Sequence, residues 1–272
     1  MCRILKVSRS GYYSWRRRPE SRRARENRRL EAAIKEIYGK SKGRYGSPKI
    51  TAELRGLGWR VGKNRVAVRM REAGLRSVVR RKFRPTTDSR HEYPVAPNLL
   101  DRNFTASRPN QAWVSDITYI RTISGWQYLT VFIDLFSRMV VGWALSGSLS
   151  HEMVLLALNR AIERRKPTKE LLIHSDRGIQ YACSNFTDAI KQHGFVQSMS
   201  RKGDCWDNAV AESFFNIIKS ELVYQTRFFS KNDALHQIFQ YIEIFYNRER
   251  RHSTLNFLTP YNFEEKNLRL CA

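Results

Sequence analysis

Two carboxylates frame one stretch of the 272-residue chain. Asp176 ends the apolar run LLIHSD, and Glu212 stands near the start of the amphipathic run AVAESFFNIIK, with thirty-five residues between them. RGIQY and the polar loop RKGDCWDN fill part of that interval. A third acid, Asp116, lies inside the strand-like run AWVSDITYI, sixty positions before Asp176. Carboxylate oxygens suit Mg2+, which keeps several waters and needs only one or two carboxylates per ion. Two such ions about 4 Å apart can activate an attacking water or hydroxyl and stabilise the leaving oxygen of a phosphodiester. Phosphoryl transfer at a two-metal site is the chemistry these residues suggest, and it requires no histidine or cysteine.

Acids so far apart in sequence must be brought together by the fold. AWVSDITYI, WQYLTVFIDLF and RMVVGWALS are rich in Val, Ile, Thr, Trp and Tyr, and the breaks TISG and SR suit hairpins. They predict an antiparallel meander of three strands. SHEMVLLALNRAIERRK has helical period with Ser150 as its N-cap. LLIHSD reads as a buried strand, SNFTDAIKQHG as a helix stopped by Gly194, and VQSMS as a fifth strand. NAVAESFFNIIKSELVY and NDALHQIFQYIEIFYNRERRH read as two further helices. The order βββαβαβα predicts a mixed sheet with helices on both faces. A meander followed by a crossover puts the first strand beside the fourth, so that Asp116 and Asp176 become neighbours. Other acids have plainer readings. Asp134 precedes the turn FSR, where Asp caps a hairpin, and Asp204 and Asp207 flank the last loop as caps with Asn208. Glu221 falls on a different helical face from Glu212. His174 reads as a hydrogen-bonded core residue.

The formal net charge is +24, and it is uneven. Residues 1–100 hold 28 Lys/Arg against 8 Asp/Glu, a net of +20, leaving +4 for the remainder. A basic arm joined to a nearly balanced domain points to nucleic acid. No run approaches 18 apolar residues, so no transmembrane helix is expected, and the start MCRILKVSRSGYYSW lacks the apolar core of a signal peptide. Four cysteines without CxxC spacing read as reduced cytosolic thiols. Within the arm, residues 1–28 form a basic helical segment. Residues 29–80 carry two short helices around the turn Gly56-Leu57-Gly58-Trp59, the second bearing Lys63, Arg65, Arg69 and Arg71. This pattern predicts a helix-turn-helix-like DNA-binding region. A linker follows over 81–108, and 109–272 form the main domain.

Taken together, WVSDITYI, FIDLFSRMVVGW, IHSDRGIQY, SRKGDCWDNAVAESFFNIIKSELVY and YIEIFYNRERRHSTLNFLTPYNF resemble a known family. It is that of bacterial insertion-sequence transposases of the DDE superfamily with a retroviral-integrase-like core. The resemblance covers roughly residues 1–265. It implies an α/β, RNase H-like fold with a mixed five-stranded sheet and flanking helices, preceded by a small all-α helix-turn-helix region. It implies that Asp116, Asp176 and Glu212 are catalytic metal ligands for Mg2+, with Mn2+ as a substitute. Lys219, seven positions past Glu212, matches a basic position that contacts DNA ends. Hydrolytic nicking at the element's end and attack of the freed 3′-hydroxyl on target DNA would follow, in a homo-oligomer assembled on DNA. A fusion partner from an upstream reading frame is implied as well, as is a bacterial cytoplasmic location at the nucleoid. The zinc-binding His/Cys domain of retroviral integrases has no counterpart here. Two other readings fit less of the text: a DNA-binding regulator of transposition inactive without its upstream partner, and another RNase H-like nuclease.

Overall fold

The computed structural model describes residues 2–78 and 94–271. The chain divides into two compact units, Met1–Val78 and Val79–Ala272. The end of the helix-turn-helix-like region and residues 81–93 of the linker lie outside the described residues.

Four helices make the first unit: α1 (Arg9–Arg17), α2 (Arg22–Lys40), α3 (Ser47–Gly56) and α4 (Lys63–Glu72). Serine hydroxyls start the first two by accepting otherwise orphaned backbone N–H groups. Ser8 accepts from Gly11 and Ser21 from Ala24. Pro48 occupies the first turn of α3, where its missing N–H costs nothing. Leu30, Ile34, Ile50, Leu54 and Val66 converge as a buried core of α2, α3 and α4. Gly58 turns the chain between α3 and α4 at φ +86°, a conformation that favours glycine. The N–H of Trp59 then closes back on the carbonyl of Leu54 at 2.9 Å.

In the second unit, β1 (Ala112–Thr122), β2 (Gly125–Asp134) and β3 (Val140–Ser146) form the expected meander. α5 (His151–Arg165) crosses over to β4 (Leu172–Ser175). α6 (Ile179–Ala182) and α7 (Ser184–Gln192) lead to β5 (Val196–Met199). The sheet order is β3-β2-β1-β4-β5. β1 runs antiparallel to β2 and parallel to β4. Trp113, Phe132, Val154, Leu158, Phe186 and Ile190 belong to the core that α5 and α7 share with the sheet. α5 packs so tightly on β3 that a Cβ on Gly142 would lie 2.3 Å from the carbonyl oxygen of Ala157.

α8 (Ala209–Glu221) packs against β1 and begins a second buried set that includes Phe214, Ile218, Ile238, Ile242 and Tyr246. The run read as one helix from NDALHQ onward divides. α9 (Lys231–Phe239) continues as a π-helix over Gln240–Glu249. Arg250 ends it, its side chain drawn in to Glu221 at 2.8 Å. α10 (Pro260–Cys271) has no counterpart in the sequence reading. It is tied down by Glu264, which pairs with Arg165 at 2.6 Å. The end of the linker is also bound to the core. Leu100 is buried, and the backbone N–H groups of Leu99 and Leu100 donate to the Ser198 hydroxyl on β5.

Candidate active site

β1 and β4 set the spacing of the two aspartates. Their register pairs Ala112 with Leu172, Trp113 with Ile173 and Val114 with His174. Asp116 and Asp176 each lie two residues past the last of these pairs, Asp116 within β1 and Asp176 just beyond the end of β4. Each aspartate turns one oxygen to nearby backbone. The N–H of Ile117 donates to Asp116 Oδ1 at 2.7 Å, and that of Gly178 donates to Asp176 Oδ1 at 2.9 Å. A Cβ at Gly178 would meet that same Asp176 oxygen at 3.0 Å, so glycine permits the close turn. Glu212 lies in the first turn of α8 and is half-buried. The start of its helix is moored to β1: the Asn208 amide donates to the Ser115 carbonyl, one residue before Asp116, at 3.1 Å. The Ser115 hydroxyl shares a buried 2.8 Å hydrogen bond with the Tyr181 hydroxyl.

Burial and charge act on these acids together. The Asp116 carboxyl is held well above the usual carboxylate range, first by burial and then by the charge of Asp176, with Glu212 adding to it. Burial raises Glu212 as well. Burial lowers Lys219, half-buried on the same helix, while the charge of Asp116 pulls the other way. Hard oxygen donors crowded into a partly desolvated place suit a divalent cation. Among the described residues, however, no three His, Cys, Asp or Glu side chains stand close enough to hold a metal ion as arranged. Like charges repel, and the backbone N–H groups of Ile117 and Gly178 each hold an aspartate oxygen.

The remaining acids have structural roles. Asp134 is fully buried, accepts from the N–H groups of Asn110 and Phe136, and pairs with Arg165. Asp204 caps the 3-10 turn Cys205–Asn208 by accepting from Trp206. The capping role expected of Asp207 and Asn208 is not what the structure holds. Asp207 is a buried ion-pair centre for Arg102 and Arg201, with the Asn98 amide as a further donor. Asn208 gives its amide to Ser115 instead. Arg201 is six residues from Asp207, but Arg102, Asn98 and Ser115 lie about a hundred residues away in sequence, beyond the reach of local pattern. His174 is the buried, hydrogen-bonded residue expected, between the hydroxyls of Ser198 and Ser200. Burial lowers its pKa to about 4 and keeps it neutral.

On α4, the structure separates three of the four cations. Lys63 is exposed at the helix start. Arg65 is drawn to α2, donating to Asn27 Oδ1 at 2.7 Å and to Glu26 at 2.9 Å. Arg69 pairs with Glu72 one turn on. No helix among the described residues is long and apolar enough to cross a membrane.

A parallel β1–β4 pair with acids on β1 and just past β4, and a third acid on α8, is the framework of an integrase-type nucleic-acid enzyme. The family model for the integrase core domain matches residues 106–205, and a second integrase-core model matches 193–260. An HTH-like domain model matches residues 24–83. Transposase InsF for insertion sequence IS3A, from Escherichia coli K12, is 43% identical over 270 residues, covering 98% of this chain and 94% of that protein. An uncharacterized 31 kDa protein of insertion element IS600, from Shigella sonnei, is 41% identical over the whole of both chains. The chain of a simian T-cell lymphotropic virus intasome shares the fold, with a TM-score of 0.51 and 15% identity, covering 85% of this chain and 74% of its own. The chain belongs to the IS3-type insertion-sequence transposases with an integrase core. It is a DNA-binding transposase that cleaves DNA and transfers strands as a divalent-metal-dependent polynucleotidyl transferase.

Proposed function

We propose that Asp116, Asp176 and Glu212 are the catalytic carboxylates of this transposase and that they hold Mg2+, with Mn2+ able to replace it. The observation that carries the reading is the β1–β4 register, whose last pair, Val114 with His174, stands two residues before each aspartate. The Asn208 tether at the head of Glu212's helix supports it. When bound, the metal supplies Lewis acidity and makes an attacking water or hydroxyl more acidic. Asp116 on β1 and Asp176 just past the end of β4 orient the reacting phosphodiester between rigid elements. Glu212 closes the set from α8, and Lys219, two turns along the same helix, offsets phosphate charge. In the first step water forms a bond to phosphorus at the element's end and the 3′-oxygen leaves as a hydroxyl. In the second step that hydroxyl attacks a target phosphodiester, and the target's own 3′-oxygen leaves.

Lys63, Arg65 and Arg69 belong to the helix that faces DNA in the first unit, with Lys63 the most accessible. Bringing two element ends together calls for a homo-oligomer on bacterial DNA, and an upstream-frame product joins it. The test is a cleavage and strand-transfer assay on a labelled duplex of the element's end, with Mg2+ or Mn2+ against EDTA. Asp116→Asn, Asp176→Asn and Glu212→Gln should each reduce product at least about a hundredfold, more than loss of an outer-shell partner does. DNA binding should stay intact. Normal activity in any of the three would remove that residue from the triad.

A further inference from the structure

Glu212 differs from the two aspartates in how it is held. Asp116 lies within β1, and Asp176 is the residue after β4, so the sheet governs where both stand. Glu212 lies instead in the first turn of α8, where backbone N–H groups lack helical partners and helices fray. Asn208, at the cap position, makes no side-chain hydrogen bond to that turn and gives its amide to Ser115. A second anchor stands one residue earlier, at Asp207.

The Asp207 side chain is fully removed from solvent. Arg201 closes the loop before α8 onto it, donating from its backbone N–H at 2.9 Å, its Nε at 2.9 Å and its Nη2 at 2.8 Å. Two side chains from the end of the linker reach the same carboxylate, Asn98 Nδ2 at 2.9 Å and Arg102 Nε at 2.8 Å. Arg102 also pairs with Asp204 inside the loop. The linker end is itself held to the sheet, since the N–H groups of Leu99 and Leu100 donate to Ser198 on β5. Burying a carboxylate is costly, and an exposed cap would start a helix as well. What the buried pairing with two arginines adds is one fixed geometry for the head of α8.

We infer that Asp207 and Arg102 are positioning residues for the reaction, a latch that pins the head of α8 to the end of the linker and thereby sets where Glu212 meets the metal. This rests on the reading that makes Glu212 a catalytic carboxylate. Four residues separate Asn208 from Glu212, about 6 Å of helix, so a tilt at the head moves the carboxylate directly. A displacement of about 1 Å at a reacting group can cost about a hundredfold in rate. Affinity for DNA rests on the basic arm, so the latch acts on metal use and not on DNA binding.

The test follows single-turnover nicking of a labelled element-end duplex by the full chain across a range of Mg2+ concentrations, below each variant's unfolding midpoint. DNA affinity is measured by fluorescence anisotropy in EDTA. Arg102→Ala is the main variant, because it leaves Asp207 paired with Arg201 and so spares the fold. Asp207→Asn and Glu212→Gln stand beside it. Arg164→Ala is the control: that arginine is as exposed as Arg102, 44% against 45%, and its partner is Glu243. Arg102→Ala should raise the half-saturating Mg2+ concentration at least about tenfold, the usual effect of losing a group that orients a metal ligand. DNA affinity should stay within about twofold of wild type. Loss of a cation would by charge alone favour Mg2+, so a higher Mg2+ requirement has the sign of misplacement and not of electrostatics. Asp207→Asn should shift in the same direction, and Arg164→Ala should match wild type. A wild-type Mg2+ dependence in Arg102→Ala, with Glu212→Gln inactive, would overturn the latch and leave the triad standing. Weaker DNA binding with unchanged Mg2+ dependence would overturn it too, since that marks Arg102 as a phosphate contact. So would an equal shift in Arg164→Ala. Normal activity in Glu212→Gln would remove the triad reading, and the latch with it.

Discussion

Glu221 and Arg250 form an ion pair removed from water, with side chains only 9% and 7% exposed. The Tyr241 hydroxyl donates to the same carboxylate at 2.8 Å. Taking one partner away leaves the other charge buried without compensation, at a typical cost of about 3–5 kcal/mol. Glu221→Gln keeps the shape and removes the charge, so urea unfolding should show a loss of that order. A change below about 1 kcal/mol would mean that Arg250 finds water or another acceptor. Asp207 makes a pH argument of the same kind. A hydrogen bond from Arg201 is the first cause that holds its carboxyl well below the ordinary carboxylate value, and Arg102 adds to it. A carboxyl whose folded pKa is depressed gives its full stabilisation above its unfolded value, about 3.9, and loses it as pH falls further. Between pH 5 and pH 3 the wild type should therefore lose more unfolding free energy than Asp207→Asn. Parallel losses would show that the ion pairs with Arg102 and Arg201 carry no net linkage.

Elements were legible where one period dominates. The Val/Ile-rich runs with their turns gave the meander, and the apolar crossover gave the parallel β1–β4 contact whose last pair stands two residues before Asp116 and Asp176. The π-helix over Gln240–Glu249 escaped because its apolar spacing differs little from that of an α-helix, while Arg250 must turn inward to Glu221. Asp207 and Asn208 were read as local caps because both types cap helices. Arg102 and Ser115 compete for them from distant segments, and those contacts exist only once the sheet has formed. The close seat of α5 on β3 was also hidden in the sequence, since Gly142 looks like any glycine in a strand. A Cβ added there would lie only 2.6 Å from the Ala161 Cβ and 2.3 Å from a backbone oxygen, so an added methyl must push α5 away. Gly142→Ala should destabilise the second unit by about 1–3 kcal/mol, the usual range for overpacking. An unchanged unfolding midpoint would show that α5 shifts freely.

At the scale of the whole chain, charge separates what the two units do. Residues 1–100 hold 28 Lys/Arg against 8 Asp/Glu, and cations on such an arm act on DNA phosphates by releasing condensed counterions. Affinity should then fall steeply with salt, by about 10³–10⁵ between 50 and 200 mM if six to ten phosphates are neutralised. The structure orders the contributions on α4. Exposed Lys63 can reach a phosphate directly, so Lys63→Gln should flatten the slope of log affinity against log salt by about one. Arg65 is held by Asn27 and Glu26, with its guanidinium engaged between α2 and α4. Reaching DNA would break those bonds, so Arg65→Gln should change the slope less and weaken α2–α4 packing more. Fluorescence anisotropy at several salt concentrations, together with thermal unfolding of both variants, decides the matter. If Arg65→Gln flattened the slope as much as Lys63→Gln while leaving the unfolding midpoint in place, the α2 contacts would be exchanged for DNA on binding. The helix would then have to be read as one whose inner arginine swings outward to the phosphates.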